Sequence, residues 1–154
     1  MHHPDLVAEA VALLRRRGGR LTAAREQILG ALARLGGHPT AAQIHEALGE
    51  EGAPHLSTTY RTLESLCAVG VLSHVHVDHA EPGFHFSAEV TGRPHAHAAC
   101  SACGTVVDLP AEVVAPVADH LRSLGFEPRL GHSALSVTCP RCAGRSPVSD
   151  AAAR

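Results

Sequence analysis

Lysine and tryptophan are absent from this 154-residue chain, and one Tyr and three Phe are all the Phe, Trp or Tyr it has. With so few rings, Ala and Leu must supply most of the core, which predicts aliphatic helix packing. Every basic side chain is Arg, and 13 of them against 15 acids leave a formal charge of −2 with His neutral. That total gives no support for a nucleic-acid partner, since such proteins are often basic. Distribution is more informative. Arg15, Arg16, Arg17 and Arg20 stand against only Asp5 and Glu9 in the first 20 residues, whereas acids outnumber arginines after residue 74. A basic N-terminal face remains compatible with local phosphate contact. No run approaches the ~18 apolar residues of a membrane span. The opening MHHPDLVAEAVALLRRRGG also lacks the long apolar run and cleavage site of a signal peptide. A cytoplasmic protein with no membrane partner is expected. In a reducing compartment, paired cysteines read as metal ligands rather than disulfides.

The first half carries helical periodicity. Leu6, Val7, Ala10, Leu13 and Leu14 recur at helical spacing over ~5–17, and GGR ends the run. Thr22 is placed to cap a second helix, with Ile28, Leu29, Leu32 and Leu35 as its apolar stripe. Thr40 is placed to cap a third helix that turns Ile44, Ala47 and Leu48 inward, and Ser57 to open a fourth that Gly70 closes. The period then changes. VLSHVHV alternates as a strand, DHAEPG turns, and FHFS returns. Helices followed by a β-hairpin predict a winged helix-turn-helix over residues 1–87, whose last helix would enter the major groove. Residues 88–94 (AEVTGRP) have the composition of a hinge linker. Residues 95–143 predict a small α/β domain: a strand, a CxxC knuckle, the strand TVVDL, a helix from about Pro110 to Leu124, and a strand near Ala134–Val137 before a second CxxC. Residues 144–154 read as a flexible tail. The fold class is therefore α+β.

Cys100 and Cys103 (CSAC) and Cys139 and Cys142 (CPRC) form the two knuckles. Each lets two thiolates reach one ion from a tight turn. Together they complete a tetrahedral S₄ shell, for which zinc is the default. Such a closed shell is structural. Cys67 falls on the apolar face of the fourth helix and reads as a buried small side chain. Among the histidines, His95 and His97 alternate on one strand and point to one face, as do His74 and His76 on another. No carboxylate–histidine pair stands as a general base beside an open metal position. No catalytic residue and no small-molecule substrate are expected.

The stretches PHLSTTYRTLESLCAVGVLSHV, PHAHAACSACGTVVDL and GHSALSVTCPRC together resemble the ferric uptake regulator (Fur) superfamily over about residues 5–143. These are dimeric, metal-dependent repressors with an N-terminal winged helix and a C-terminal α/β dimerisation domain. The histidine-rich SHVHVDHAEPGFHF looks most like the nickel-responsive (Nur) branch; other branches sense iron, zinc, manganese or peroxide. The resemblance implies a homodimer on a palindromic double-stranded DNA operator, zinc in the cysteine shell, and nickel or another divalent ion (zinc, iron, manganese) as regulator. It assigns DNA contact to Ser57, Thr58, Thr59, Tyr60 and Arg61 at the head of the fourth helix, and minor-groove contact to Arg20. The bland alternatives are a core Tyr60 and a solvated Arg20. It assigns an inter-domain metal site to His38, His85, His95 and His97, with Asp108 as a further ligand or an orienting group. His74, His76 and His132 are the implied nickel ligands, with His79 either a ligand or in solvent. Pro94 and Ala96 stand where many members have ligating residues of the run HHHDH, and an expected acidic ligand falls near Ala115, one turn from Glu112. That further site should be missing or rebuilt. His2, His3, His45, His55 and His120 have no evident partners and read as surface residues. A metal store or chaperone would explain the histidines but leave LSTTYRTLESL unexplained.

Overall fold

The computed structural model describes residues 3–49, 52–76, 81–128 and 134–144. It opens with four helices: α1 (His3–Arg16), α2 (Ala23–Leu35), α3 (Ala41–Leu48) and α4 (Leu56–Ala68). Their ends follow capping chemistry. The Thr22 hydroxyl accepts from the Arg25 backbone N–H at 3.3 Å. Thr40 and Gln43 form a reciprocal capping box, at 3.3 and 2.9 Å. Helix α4 departs from expectation: it begins at Leu56, and its N-cap is His55, not Ser57. The His55 ring nitrogen accepts from the Ser57 N–H at 3.4 Å and lies 3.0 Å from the Ser57 hydroxyl. The imidazole therefore does what the serine was expected to do.

The helices enclose a core of Leu13, Leu14, Ile28, Leu29, Leu32, Ile44, Leu63 and Leu66. The hairpin β1 (Leu72–Val75) and β2 (Gly83–Phe86) closes it with Leu72, Phe84 and Phe86. Register runs from Leu72↔Phe86 to Val75↔Gly83. Strand β1 thus stops one residue short of His76. No described helix is long and apolar enough to cross a membrane.

The segment 88–94, a linker by composition, instead contains a single helical turn, α5 (Ala88–Thr91), ended by Gly92 in the left-handed region at φ 66°. One buried side chain, Val90, ties it to the helical core. Glu89 accepts two hydrogen bonds from Arg17, at 2.8 and 2.7 Å. The linker-like composition of AEVTGRP masks this, because a single apolar anchor has no period to detect.

Beyond it lie β3 (His95–Cys100), β4 (Val106–Pro110), α6 (Ala111–Ser123) and β5 (Ala134–Val137). The sheet order is β4-β3-β5, with β4 antiparallel and β5 parallel to β3. The parallel pairing sets the C-terminal ends of β3 and β5 side by side, which carries the two CxxC knuckles together. Among the described residues, seven of the nine exposed large apolar side chains (Val107, Val113, Val117, Leu124, Phe126, Leu135 and Val137) belong to this domain. Register puts Val107 and Leu135 on either side of Ala98, on one sheet face. The expected tail lies, from residue 145 on, outside the described residues.

Strand β2 is bound directly to the loop before α3. Phe84 N–H donates to the Pro39 carbonyl at 2.9 Å, and Gly83 bridges Thr40. A Cβ on Gly83 would lie 2.7 Å from the His38 carbonyl oxygen and 2.9 Å from its Cβ. Gly83→Ala should therefore cost about 1–3 kcal/mol, as overpacking does. Urea unfolding checks this; wild-type stability in the variant would contradict it.

Candidate metal centres

Register first places the histidines. His97 pairs with Asp108, so both point to one face of the sheet, and His95, two residues earlier, joins them. That face meets the helical domain. His38 arrives from the loop after α2, and His85 from β2. Ring centroids are 4.7 Å apart for His85–His97, 4.8 Å for His38–His97 and for His95–His97, and 4.9 Å for His38–His85. One ligating nitrogen from each of the four lies within 4.8 Å of every other. Two imidazoles bound on opposite sides of one ion would place their nitrogens about 4 Å apart, given metal–nitrogen bonds of about 2.0–2.1 Å. All four sequence-predicted residues therefore converge. Asp108, foreseen only as a possible helper, is part of the group: its Oδ1 lies 3.3 Å from His38 Nε2, 3.7 Å from His97 Nε2 and 3.9 Å from His95 Nε2. Glu112 forms no ion pair among the described residues.

The nitrogens fit a cation. His85 Nδ1 sits 2.9 Å from the Phe86 carbonyl and His95 Nδ1 2.9 Å from the Arg93 carbonyl. Each N–H donates to the backbone, and this sets the tautomer that leaves Nε2 a free lone pair. Nε2 of His38, His85 and His97 is buried without a hydrogen-bond partner, as is Nδ1 of His97. Unpaired buried nitrogens are costly, and a shared metal ion would satisfy them. Burial, reinforced by neighbouring imidazoles, pushes His85 down to about 3 and His97 down to about 4. His38 is also lowered, by burial against the opposing pull of Asp108. These three rings are held neutral, the form that ligates.

The second centre is built from Cys100, Cys103, Cys139 and Cys142, whose sulfurs lie within 4.8 Å of one another. Cys103 and Cys139 are 3.7 Å apart. Sulfurs on the edge of a tetrahedron with Zn–S bonds of about 2.3 Å would be about 3.8 Å apart. Gly104, at φ 71°, makes the first knuckle's turn and donates its N–H to the Cys100 carbonyl at 2.8 Å. The thiols titrate apart. The Thr105 hydroxyl, 3.2 Å from Cys103 Sγ, helps lower that thiol to about 6, whereas the adjoining cysteines drive Cys142 up to about 12. Four thiolates cannot all ionise at this spacing without a cation among them, so the donor set fits a divalent metal.

The third predicted set is incomplete. His74 and His76 are brought together, with ring centroids 4.7 Å apart. His132 and His79 lie outside the described residues. Cys67 is half-buried against the core, and burial pushes its thiol up to about 11, which keeps it inert.

On α4, Ser57, Thr58 and Arg61 are exposed, at spacings that put them on one side of the helix. Thr59 is a correction to the DNA-contact set. It is fully buried, and its hydroxyl lies 3.2 Å from His45 Nδ1. Helical geometry turns residue 59 inward with Leu63 and Leu66, so it braces α3 against α4. His45, expected to be a partnerless surface residue, is the other half of that brace. Tyr60 is half-buried, and its hydroxyl donates to Glu81 at 3.3 Å. Arg20 is exposed in the turn before α2.

The lowered histidines predict a pH dependence for the metal-free four-histidine site. The unfolded chain takes up protons near pH 6.5, while the folded chain resists until about pH 4 and below. Stability therefore rises with pH through this window: it is full above about pH 6.5 and lost progressively toward pH 4. Urea midpoints of chelated protein should fall between pH 7 and pH 5, and less steeply in His85→Gln. Parallel profiles would contradict the assignment.

Comparison with known proteins places this geometry. The model of the Ferric uptake regulator family matches residues 16–130. The peroxide-responsive repressor PerR of Staphylococcus aureus is 32% identical over 102 residues, 65% of this chain. The match spans 66% of that relative's length, just under two thirds. The ferric uptake regulator of Pseudomonas aeruginosa, solved with manganese, superposes with a TM-score of 0.66 at 27% identity, covering 84% of this chain and 97% of that one. The Helicobacter pylori ferric uptake regulator, described as having three functional metal-binding sites, superposes at 0.70 with 16% identity, covering 93% and 95%, and shares the fold. With a family match across well over half its length, the chain belongs to the ferric uptake regulator family.

Proposed function

We propose that this chain is a metal-dependent transcriptional repressor, a homodimer that binds palindromic operator DNA when its imidazole sites are loaded. Nickel is the favoured regulatory ion, and zinc sits among the four cysteines. One observation carries the reading. His38 and His85 from the helical domain meet His95 and His97 from the sheet, with buried nitrogens that lack partners. A shared divalent ion supplies fixed positive charge that these neutral rings can bind in common. His38 and His85 hold the winged-helix side, and His95 and His97 hold the sheet side, so loading fixes one relative orientation. A ligand that binds one arrangement better than the other shifts the population toward it. Asp108 adds a carboxylate beside three of the rings.

Dimerisation is supported by the exposed apolar side chains of the C-terminal domain, Val107 and Leu135 among them. DNA contact is supported by the exposed Ser57, Thr58 and Arg61 on α4 and by Arg20 beside it. Arginine and hydroxyl side chains at a helix N-terminus suit phosphates and base edges. The neighbouring His74 and His76, joined by His132, are proposed as the nickel ligands.

A second reading is a zinc-, iron- or manganese-responsive regulator. The Asp108 carboxylate favours it, because an oxygen donor beside the imidazoles suits iron or manganese better than nitrogen alone. A metal store or chaperone leaves the exposed polar face of α4 without a role.

Gel shifts on a duplex selected from random sequence by the nickel-loaded protein separate these readings, titrated in turn with nickel, zinc, iron(II) and manganese. Nickel is expected to support binding at the lowest free concentration. Equal binding with and without a chelator would sink metal sensing altogether. His74→Ala with His76→Ala should weaken metal-dependent binding but leave the dimer and its zinc intact. Cys100→Ser should instead lose zinc and fold stability together. Equal loss of dimer in both variants would undo this division of labour.

A further inference from the structure

Arg25 lies in the first turn of α2, where the helix dipole disfavours a cation. Its side chain is half-buried and committed in two directions. Nη1 donates to the backbone carbonyl of Arg20 at 2.6 Å, and Nη2 donates to the Ser65 hydroxyl at 2.8 Å. Ser65 belongs to α4, 40 residues further along the chain. The Arg25 backbone N–H is used as well, donating to the Thr22 hydroxyl that caps α2. One residue thus ties together the turn that carries Arg20, the start of α2, and the flank of α4. A planar guanidinium can make both side-chain bonds at a fixed angle; an ammonium group on a flexible stem cannot.

We infer that Arg25 is a positioning residue for DNA recognition, setting the distance between Arg20 and the exposed Ser57–Thr58–Arg61 face of α4. The inference rests on the proposed reading that Arg20 and α4 both touch the duplex. The turn at residues 20–22 has no other described side-chain bond to α4. Without the fork, Arg20 would have to be ordered on binding, and ordering of that kind weakens association. Arg25 itself need not reach the DNA, because Nη1 and Nη2 each already hold a partner within the protein.

A double-mutant cycle tests this on full-length, nickel-loaded protein with the selected duplex. Arg20→Ala should weaken binding by about tenfold, within the range for loss of a groove-reading arginine. Arg25→Lys keeps the charge but loses the fork, and should weaken wild-type binding about fivefold. In the Arg20→Ala background the same change should cost less than about twofold, because the residue it positions is gone. Hydroxyl-radical protection of the minor groove should fade in Arg25→Lys, while base protection under α4 persists. Ser65→Ala removes one bond and no charge, and should show a smaller loss in the same pattern. An equal factor for Arg25→Lys in both backgrounds would overturn the inference. Wild-type binding by Ser65→Ala would overturn the link to α4. If Arg20→Ala alone binds like wild type, the reading of Arg20 as a DNA contact fails, and the inference fails with it. That outcome is distinct from an additive cycle.

Discussion

Everything in the arrangement of the two halves turns on imidazole rings whose buried nitrogens are left without a hydrogen bond. His97 is completely buried, and His38 and His85 nearly so. Solvating such groups with water would require the halves to part, and protonating them would place like charges within about 5 Å of one another in a medium that screens poorly. The core of the helical domain and the hydrogen bonds of the sheet are each complete without this cluster. The junction between them is not. The site is therefore less a pocket that accepts a ligand than an unfinished interface, one that a cation with nitrogen affinity would complete.

The local frame of that interface is rigid for ordinary reasons. His97 and Asp108 are fixed by strand register, and His38 is fixed by the contact of its loop with Gly83 and Phe84. His85 sits on the strand that makes this contact, so His38 cannot move far without moving the wing. The turn α5 follows directly. Val90 roots it in the core, and the Arg17–Glu89 pair joins it to the region after α1. That pair is exposed, so its energy is small. Its geometry nonetheless gives the connection between the halves a defined starting direction.

Much of this was legible in the sequence, and the reasons differ by element. Thr22, Thr40, the β3 and β5 strands and the cysteine quartet were recoverable because capping, alternation and CxxC spacing are local signals. The imidazole quartet spans residues 38–97 and emerged only through family resemblance; no local period connects His38 to His85. Four features stayed hidden for definite physical causes. The Ser57 cap was displaced because the ring nitrogen of His55, two residues earlier, accepts from the Ser57 N–H and starts the helix sooner. Thr59 was read with its exposed neighbours, although the phase of Leu63 and Leu66 places it inward. Residues 88–94 hold one buried valine, too little apolar pattern to distinguish a helical turn from a linker. Arg25 carries no local signal, because an arginine in a helix reads as solvated unless its two acceptors are known.

The two donor sets differ in a way that assigns them different lifetimes. The four sulfurs come from two tight knuckles at the adjoining ends of β3 and β5, so the ligands of each knuckle are close before any ion arrives. Thiolates at this spacing repel one another, and removing a cation from among them leaves that repulsion uncompensated. The nitrogens are neutral, and they come from three separate elements on two sides of a junction. Losing an ion there leaves one carboxylate, the largely exposed Asp108, and unsatisfied lone pairs that water can reach if the halves separate. The first set favours permanent occupancy and a stable sheet. The second favours exchange, because its empty state has a conformational escape. Under the proposed reading, permanence beside exchangeability suits a metal-responsive regulator: the cysteine centre would hold the frame constant while the imidazole junction gains and loses its ion.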